Sequence, residues 1–182
     1  DRGDEKLHEM ILQLYDFSRS QPEPEAWLEK QPELFNVPEG TPVEELLWYK
    51  KEIQADIFRV LEKAENGVQN LLRRVTLCGA DELSPALEAD AAQLAVLRDA
   101  ADRGWEELAA AIRIVKHQRQ PAAKNVDKAF REFISAQRKN EIKDRVAYLK
   151  ETYFSESAQQ LIKDLRECRP AAAALCGLAQ AF

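Results

Sequence analysis

Two long stretches of this chain carry apolar residues at intervals of three and four, which constrains the fold more than any other feature. Residues at these intervals lie along one face of an α-helix, because a helix has about 3.6 residues per turn. The first stripe contains Leu47, Ile57, Leu61, Ala64, Val68, Leu71 and Val75. The second contains Leu87, Ala91, Leu94, Arg98, Ala101, Trp105, Leu108, Ile112 and Val115. We therefore predict an all-α, elongated domain built around an antiparallel helical hairpin about 50 Å long, with more than about thirty residues in each helix.

We place this hairpin at residues 41–116, with Trp105 as a core residue. The segment from Thr41 to Glu44 has the features of a strong helix start: a hydroxyl cap, a proline at the first helical position and a glutamate three residues after the cap. Ser84 and Pro85 are expected to begin the second long helix.

Shorter helices are predicted to pack at both ends of the hairpin. In the entry helices, residues 1–36, Asp4 is expected to cap a first helix that Pro22 and Pro24 end, and a short helix follows at residues 25–31. The apolar face of the first helix consists of Leu7, Met10, Ile11, Leu14 and Phe17. Residues 117–126 lack periodicity and indicate a basic loop. The return helices, residues 127–182, comprise 127–153, a helix capped by Ser155 that ends near Cys168, and a last helix after Pro170. We treat residues 1–182 as one domain.

The sequence carries no motif for nucleotide chemistry. No Gly-x-x-x-x-Gly-Lys-Ser/Thr loop is present, and the Asp-Glu pairs at Asp4 and Asp81 lie in polar turns and do not follow a buried strand. We expect no catalytic residue and no cofactor in this segment.

A metal site or a disulfide framework is not expected either. His8 and His117 are far apart in sequence, and the only carboxylates near either at a ligand-like position are Asp4 and Glu9, which flank His8 in a solvated stretch. Cys78, Cys168 and Cys176 are odd in number and widely spaced, which favours a reducing compartment and a role as small packing residues.

A membrane segment is likewise not expected. The chain begins at Asp1 without a charged and then apolar leader, and its most apolar stretch, residues 171–182, is too short to cross a bilayer. The expectation is a cytoplasmic fragment.

Charge is segregated along the chain. Residues 113–150 contain eleven Lys and Arg against four Asp and Glu, a balance of plus seven, so the other residues must carry minus thirteen to reach the total of −6. A basic tract inside an acidic chain favours a directed anion-binding patch over general coating by nucleic acid.

Several strings resemble one protein family. At the amino-terminal end these are the amphipathic run from Met10 to Phe17, the turn with Pro22 and Pro24, and the Trp27-Leu28 pair. Later in the chain they are Trp105-Glu-Glu-Leu, the loop ending at Lys124, the run from Arg138 and Lys139 to Lys143, and Tyr153-Phe-Ser-Glu-Ser through Leu165-Arg166. Together they resemble the helical insertion in the first motor domain of AddA, the A subunit of the bacterial ATP-dependent helicase/nuclease, a relative of the UvrD- and RecB-like helicases.

The resemblance implies that the chain is an accessory piece of a larger motor, projecting as a helical arm over duplex DNA. The parent would be a 3′-to-5′ DNA helicase and exonuclease that uses ATP and Mg, with its nuclease in a separate carboxy-terminal domain. Its implied partners are double-stranded DNA, the motor domains of the same chain and a B subunit, in the repair and recombination of double-strand breaks.

We therefore predict non-specific binding of duplex DNA through phosphate contacts, because long cationic side chains at intervals of three and four can follow a phosphate backbone. The candidate contacts are Arg113, Lys116, Arg119, Lys124, Arg138, Lys139 and Lys143. The alternative is a helical protein-interaction module in which the hairpin seam, or Trp27, Trp48 and Tyr49, docks a partner helix without nucleic acid. A free-standing enzyme has little support.

Overall fold

The computed structural model describes residues 2–35, 38 and 41–181, and within this part of the chain the regular structure is entirely helical. This confirms the predicted all-α class. The chain, treated above as one domain, divides into two compact units: Asp1–Pro42 with Gln159–Phe182, and Val43–Ala158.

The first unit contains the helices α1 (Arg2–Arg19) and α2 (Pro24–Lys30), a short 3₁₀ segment at Gln31–Phe35, and the last helix of the chain. Ile11 and Leu28 are buried against residues of that last helix. Helix α2 confirms the short helix predicted at residues 25–31, but Pro24, which was expected to end the first helix, is the first residue of α2, and α1 already ends at Arg19. Only part of the predicted α1 face is covered, because Leu7, Met10 and Phe17 are 43%, 52% and 56% exposed.

The predicted helix start at Thr41 is wrong. The Thr41 hydroxyl donates to the Pro38 carbonyl, 2.9 Å away, and only a 3₁₀ turn, Val43–Glu45, follows. The second unit's first long helix begins at Leu47, passes through a π-helical segment, Tyr49–Gln54, and continues as α3 (Ala55–Leu77). The predicted stripe is buried from Ile57 to Val75, whereas Leu47 lies before α3 and is 55% exposed.

The second arm of the predicted hairpin is interrupted at Gly104. Helix α4 (Ser84–Arg103) ends there and α5 (Trp105–Ile114) begins, so the single long second helix is wrong. Gly104 has a φ of 151°, in the region that favours glycine. The chain reverses at this point: the Gln93 side chain binds the backbone N–H and carbonyl of Lys116, at 3.0 and 2.5 Å. Helix α5 therefore returns alongside α4, and α3 also packs on α4, where Arg98 is paired with Glu65 at 3.1 Å.

The rest of the second unit follows the prediction more closely. Asp127 caps α6 (Lys128–Arg138) by accepting a hydrogen bond from the Phe130 N–H at 3.0 Å. A π-helical segment (Lys139–Lys143) and α7 (Asp144–Tyr153) continue the same helical run. Ser155 Oγ accepts from the Ala158 N–H at the start of α8 (Glu156–Glu167). The second unit ends at Ala158, so most of α8 and the last helix, α9 (Arg169–Gln180), belong to the first unit.

Trp105 is a core residue, as predicted. It is 4% exposed, meets the Tyr49 ring edge-on at 5.5 Å and stacks on Phe154 at 4.6 Å. Because Tyr49 is itself 1% exposed, it does not offer the docking surface proposed in the interaction-module alternative.

The three cysteines are free thiols, and their environments differ. Cys176 is buried in the core of the first unit and Cys168 donates to the Leu165 carbonyl, but Cys78 is exposed, so the packing role predicted for it is wrong. Among the described residues, no three His, Cys, Asp or Glu side chains form a group able to hold a metal ion. No helix in the same part of the chain is both long and apolar enough to span a membrane.

Candidate nucleic-acid interface

The predicted phosphate-contacting residues lie on three neighbouring segments of the second unit. Arg113 is in the last turn of α5, and Lys116, Arg119 and Lys124 follow in the connection between α5 and α6. The third segment is the end of α6 and the π-helical segment, with Arg138, Lys139 and Lys143. Of these seven side chains, all are exposed except Lys143, which is half-buried, and Arg138, which is 2% exposed.

Asp90 is the residue that brings these segments together. Its carboxylate is fully buried on α4 and accepts hydrogen bonds from Arg138 Nε at 2.5 Å and from an Arg138 terminal nitrogen at 3.0 Å. The same carboxylate lies 2.9 Å from His117 Nδ1, and an ionised carboxylate only accepts, so Nδ1 carries a hydrogen. Asp90 thus links α4 to the α5–α6 connection and to the end of α6.

Arg138 therefore differs from the other candidates. Besides its two bonds to Asp90 it donates to the Ala86 carbonyl at 3.2 Å, so its guanidinium is enclosed by α4. The expectation that Arg138 contacts a phosphate is corrected: its role is to hold α6 on α4.

The charge state of Asp90 follows from its partners. Burial by itself raises the pKa of the Asp90 carboxyl, but hydrogen bonds from His117 and Arg138, together with the charge of Arg138, outweigh burial and hold the pKa below its usual value. Asp90 is therefore ionised at neutral pH and forms a buried ion pair with Arg138.

The connection between α5 and α6 is irregular but anchored along its length. Gln93 holds the backbone of Lys116, and Asn125 donates to the Glu82 carboxylate at 2.8 Å. Between these two points the Arg131 guanidinium donates to the Ala122 carbonyl. The basic side chains of this segment are consequently presented from a backbone tied to α4 and α6.

Most of the exposed candidates have no acidic neighbour. Within the described part of the chain, no carboxylate oxygen lies within 4.0 Å of the charged group of the following five residues: Lys116, Arg119, Lys124, Lys139 and Lys143. Other cations of the tract are paired, Lys128 with Glu132 at 3.8 Å and Arg145 with Glu141 at 2.6 Å. An external anion can neutralise these five unpaired cations, and also the exposed Lys150 at the end of the tract.

Sequence reasoning missed the residues that organise this surface. Asp90 lies at the helical spacing of the buried face between Leu87 and Leu94, and a carboxylate at such a position is a signal for a buried partner. Asp56 was missed as well. It accepts from Tyr153 at 2.7 Å and from Tyr148 at 3.2 Å, which ties α7 to the start of α3.

No protein-family model matches the chain. The chain is similar over its full length to proteins named as the A subunit of an ATP-dependent helicase/nuclease. It is 29% identical over 185 residues to the one from Listeria monocytogenes serotype 4b (strain F2365). It is 32% identical over 186 residues to those from Bacillus cereus (strain B4264) and Bacillus thuringiensis (strain Al Hakam). The chain spans about 15% of the length of these curated relatives.

Proposed function

Because the whole chain is homologous to one segment of the A subunits of ATP-dependent helicase/nucleases, we propose that it is an accessory DNA-binding segment of such a protein. In this role it contacts duplex DNA without sequence preference, through phosphate groups. The relatives carry the words helicase and nuclease in their names, and nucleic acid is the substrate common to both activities.

The observation that carries the proposal is the group of five unpaired cations described above, Lys116, Arg119, Lys124, Lys139 and Lys143. They lie on segments that Asp90 and Gln93 anchor to α4 and that Glu82 anchors to the turn just before α4, so little ordering is required when they meet a phosphate backbone. Phosphate neutralisation by such side chains is the main source of non-specific DNA affinity. Arg113 is exposed on the preceding turn and is retained in the proposal.

The activities of the whole protein are proposed on the family relationship alone, since the chain spans about 15% of its relatives. The parent is a cytoplasmic ATP- and Mg-dependent 3′-to-5′ helicase and exonuclease. It works with a B subunit in the repair of double-strand breaks, and its ATPase and nuclease centres lie outside these 182 residues.

The test is a charge reversal with a matched control. The first variant changes Lys116, Lys139 and Lys143 to Glu, and the control changes Lys30, Lys51 and Lys163, three exposed lysines outside the tract, to Glu. Both variants have the same net charge, so long-range repulsion of DNA is equal and only the location of the charges differs. Binding to a short labelled duplex is measured by fluorescence anisotropy at several salt concentrations.

If about four phosphates are neutralised, the wild-type affinity falls roughly a hundredfold between about 50 and 200 mM salt. The tract variant is expected to lose most of this binding and to show a flatter salt dependence, with unchanged helical circular dichroism. Equal losses in the two triple variants would refute the proposed location of the DNA surface.

One observation favours a second function, a protein-interaction module. The exposed side chains of Leu7, Met10 and Phe17 form part of an apolar face on α1. The seam of the predicted hairpin does not serve this purpose because its residues from Ile57 to Val75 are buried. Association through α1 would persist at high salt, whereas phosphate contacts would not.

A further inference from the structure

A groove on the second unit lies between α3 and the helical run of α6, the second π-helical segment and α7. Its volume is about 650 Å³, within the range of sites that hold small ligands. One wall carries Lys63, Asn66, Asn70 and Arg74, which recur on one face of α3. The other wall includes Phe133 and Gln137 of α6. None of the five unpaired cations of the proposed duplex surface lines this groove.

The groove is electrically positive. Glu141 is the one acidic residue among those that line it, and it is paired with Arg145 at 2.6 Å. No carboxylate among the described residues lies within 4.0 Å of the charged groups of Lys63 or Arg74. Two uncompensated cations therefore remain, and they favour an anionic ligand.

The other groups of the groove restrict which anion it fits. The Phe133 side chain is 39% exposed, and the Arg74 guanidinium lies over its ring, 5.5 Å from the centroid. Aromatic rings and guanidinium planes are the surfaces on which unpaired bases stack. The Asn66 amide supplies a donor and an acceptor for base edges, and Asn70 supplies a donor, because its Oδ1 already accepts from Arg73 at 3.2 Å.

The dimensions favour a strand over a single nucleotide. Lys63 and Arg74 are eleven positions apart on α3, which separates them by about 16 Å along the helix axis. Gly67 lies between them, and a Cβ atom at this position would be 2.9 Å from Glu141 Cβ, so the helices are in close contact at this point of the groove. The groove is thus formed by fixed packing and is long enough for several nucleotides.

We propose that this groove binds a short stretch of single-stranded nucleic acid, with one base stacked on Phe133 and Arg74 and the phosphates directed toward Lys63. The proposal does not rest on the duplex surface, since the two sites use different residues. A duplex would not present an unstacked base to Phe133, and an acidic peptide has no base to stack on Phe133 and Arg74.

The probe is a labelled oligothymidylate of about twelve nucleotides, compared with oligouridylate and with a duplex of equal length. The groove variant changes Asn66 and Asn70 to Asp, which keeps the size of both side chains but adds negative charge beside Arg74. The control changes Asn140 to Asp, which adds one such charge at an exposed position of the second π-helical segment that does not line the groove. Phe133→Leu tests stacking separately, since it keeps an apolar side chain without a ring.

We expect the Asn66→Asp/Asn70→Asp variant to weaken oligothymidylate binding more than about tenfold, and Phe133→Leu to weaken it about five- to a hundredfold. Asn140→Asp is expected to change it by less than about twofold, because one remote charge is screened. Equal affinity for oligouridylate would mean that the groove accepts RNA as well as DNA, which also supports the proposal. The location is checked with an oligonucleotide carrying 5-iododeoxyuridine, which on irradiation should cross-link to the peptide containing Phe133.

The proposal would be overturned if the chain showed no preference for single strands over duplex. It would also be overturned if the groove variants lost no more affinity for oligothymidylate than Asn140→Asp does. Complete displacement of the oligonucleotide by an equal concentration of a polyglutamate peptide would have the same consequence. The Lys116, Lys139 and Lys143 reversal separates this site from the duplex surface. If duplex binding is lost in that variant while Phe133 still cross-links, the two sites are independent.

Discussion

Replacing Asp90 with Ala is expected to destabilise the second unit by about 3–5 kcal/mol. The substitution removes the only carboxylate within 4.0 Å of the Arg138 guanidinium among the described residues, and this guanidinium is 2% exposed. A buried cation without a partner retains its desolvation penalty while losing the compensating attraction. The loss should appear as a lower urea midpoint, followed by circular dichroism and by the fluorescence of Trp105 and the other tryptophans.

The same reasoning predicts a strong coupling between the two positions. Arg138→Met alone leaves the Asp90 carboxylate buried with only His117 beside it, and should cost a similar amount. The double variant Asp90→Leu/Arg138→Met removes both charges, so its loss should be much smaller than the sum of the single losses. A loss below about 1 kcal/mol for Asp90→Ala, or additive single losses, would refute a buried ion pair as the link between α4 and α6.

The pH dependence gives an independent check. The pKa of Asp90 is lowered in the folded chain, so the folded state binds this proton less readily than the unfolded state. Its contribution is therefore fully present above the unfolded pKa of about 3.9 and is lost as the pH falls through the lower folded pKa. The unfolding free energy of Asp90→Asn should decline less steeply below about pH 4 than that of the wild type.

Two further predictions concern packing. Gly67→Ala should lower stability by about 1 kcal/mol, because the new Cβ would meet Glu141 Cβ at 2.9 Å and this overpacking outweighs the gain in helix propensity. Gly177→Ala in α9, where a new Cβ would meet no atom within 4 Å, should instead raise stability by about 0.5–1 kcal/mol. A gain in both variants would contradict the close approach at Gly67. Leu108→Asp places a charge at a fully buried position and should lower the unfolding free energy by more than about 3 kcal/mol. Glu65→Gln weakens a partly exposed pair with Arg98 and should lower it by less than about 1 kcal/mol. Similar melting temperatures for these two variants would mean that α5 is not packed as described.

Local sequence signals determined much of the secondary structure. The spacing from Ile57 to Val75 predicted which face of α3 is buried, because helical periodicity is a property of neighbouring residues. Ser155 was sufficient to locate the start of α8, since its side chain binds the backbone N–H three residues later. The charge balance likewise identified residues 113–150 as the basic part of the chain.

Tertiary structure decided how these elements are arranged. The apolar spacing of the second stripe continues through Gly104 without a change, so periodicity alone did not reveal that α5 turns back along α4. Thr41 has the sequence of a cap, but its hydroxyl is engaged by Pro38. Arg138 has the sequence context of a surface cation, yet it is buried because Asp90, 48 positions earlier, supplies the opposite charge. Such pairings depend on distances between residues remote in sequence, which composition and local spacing do not contain.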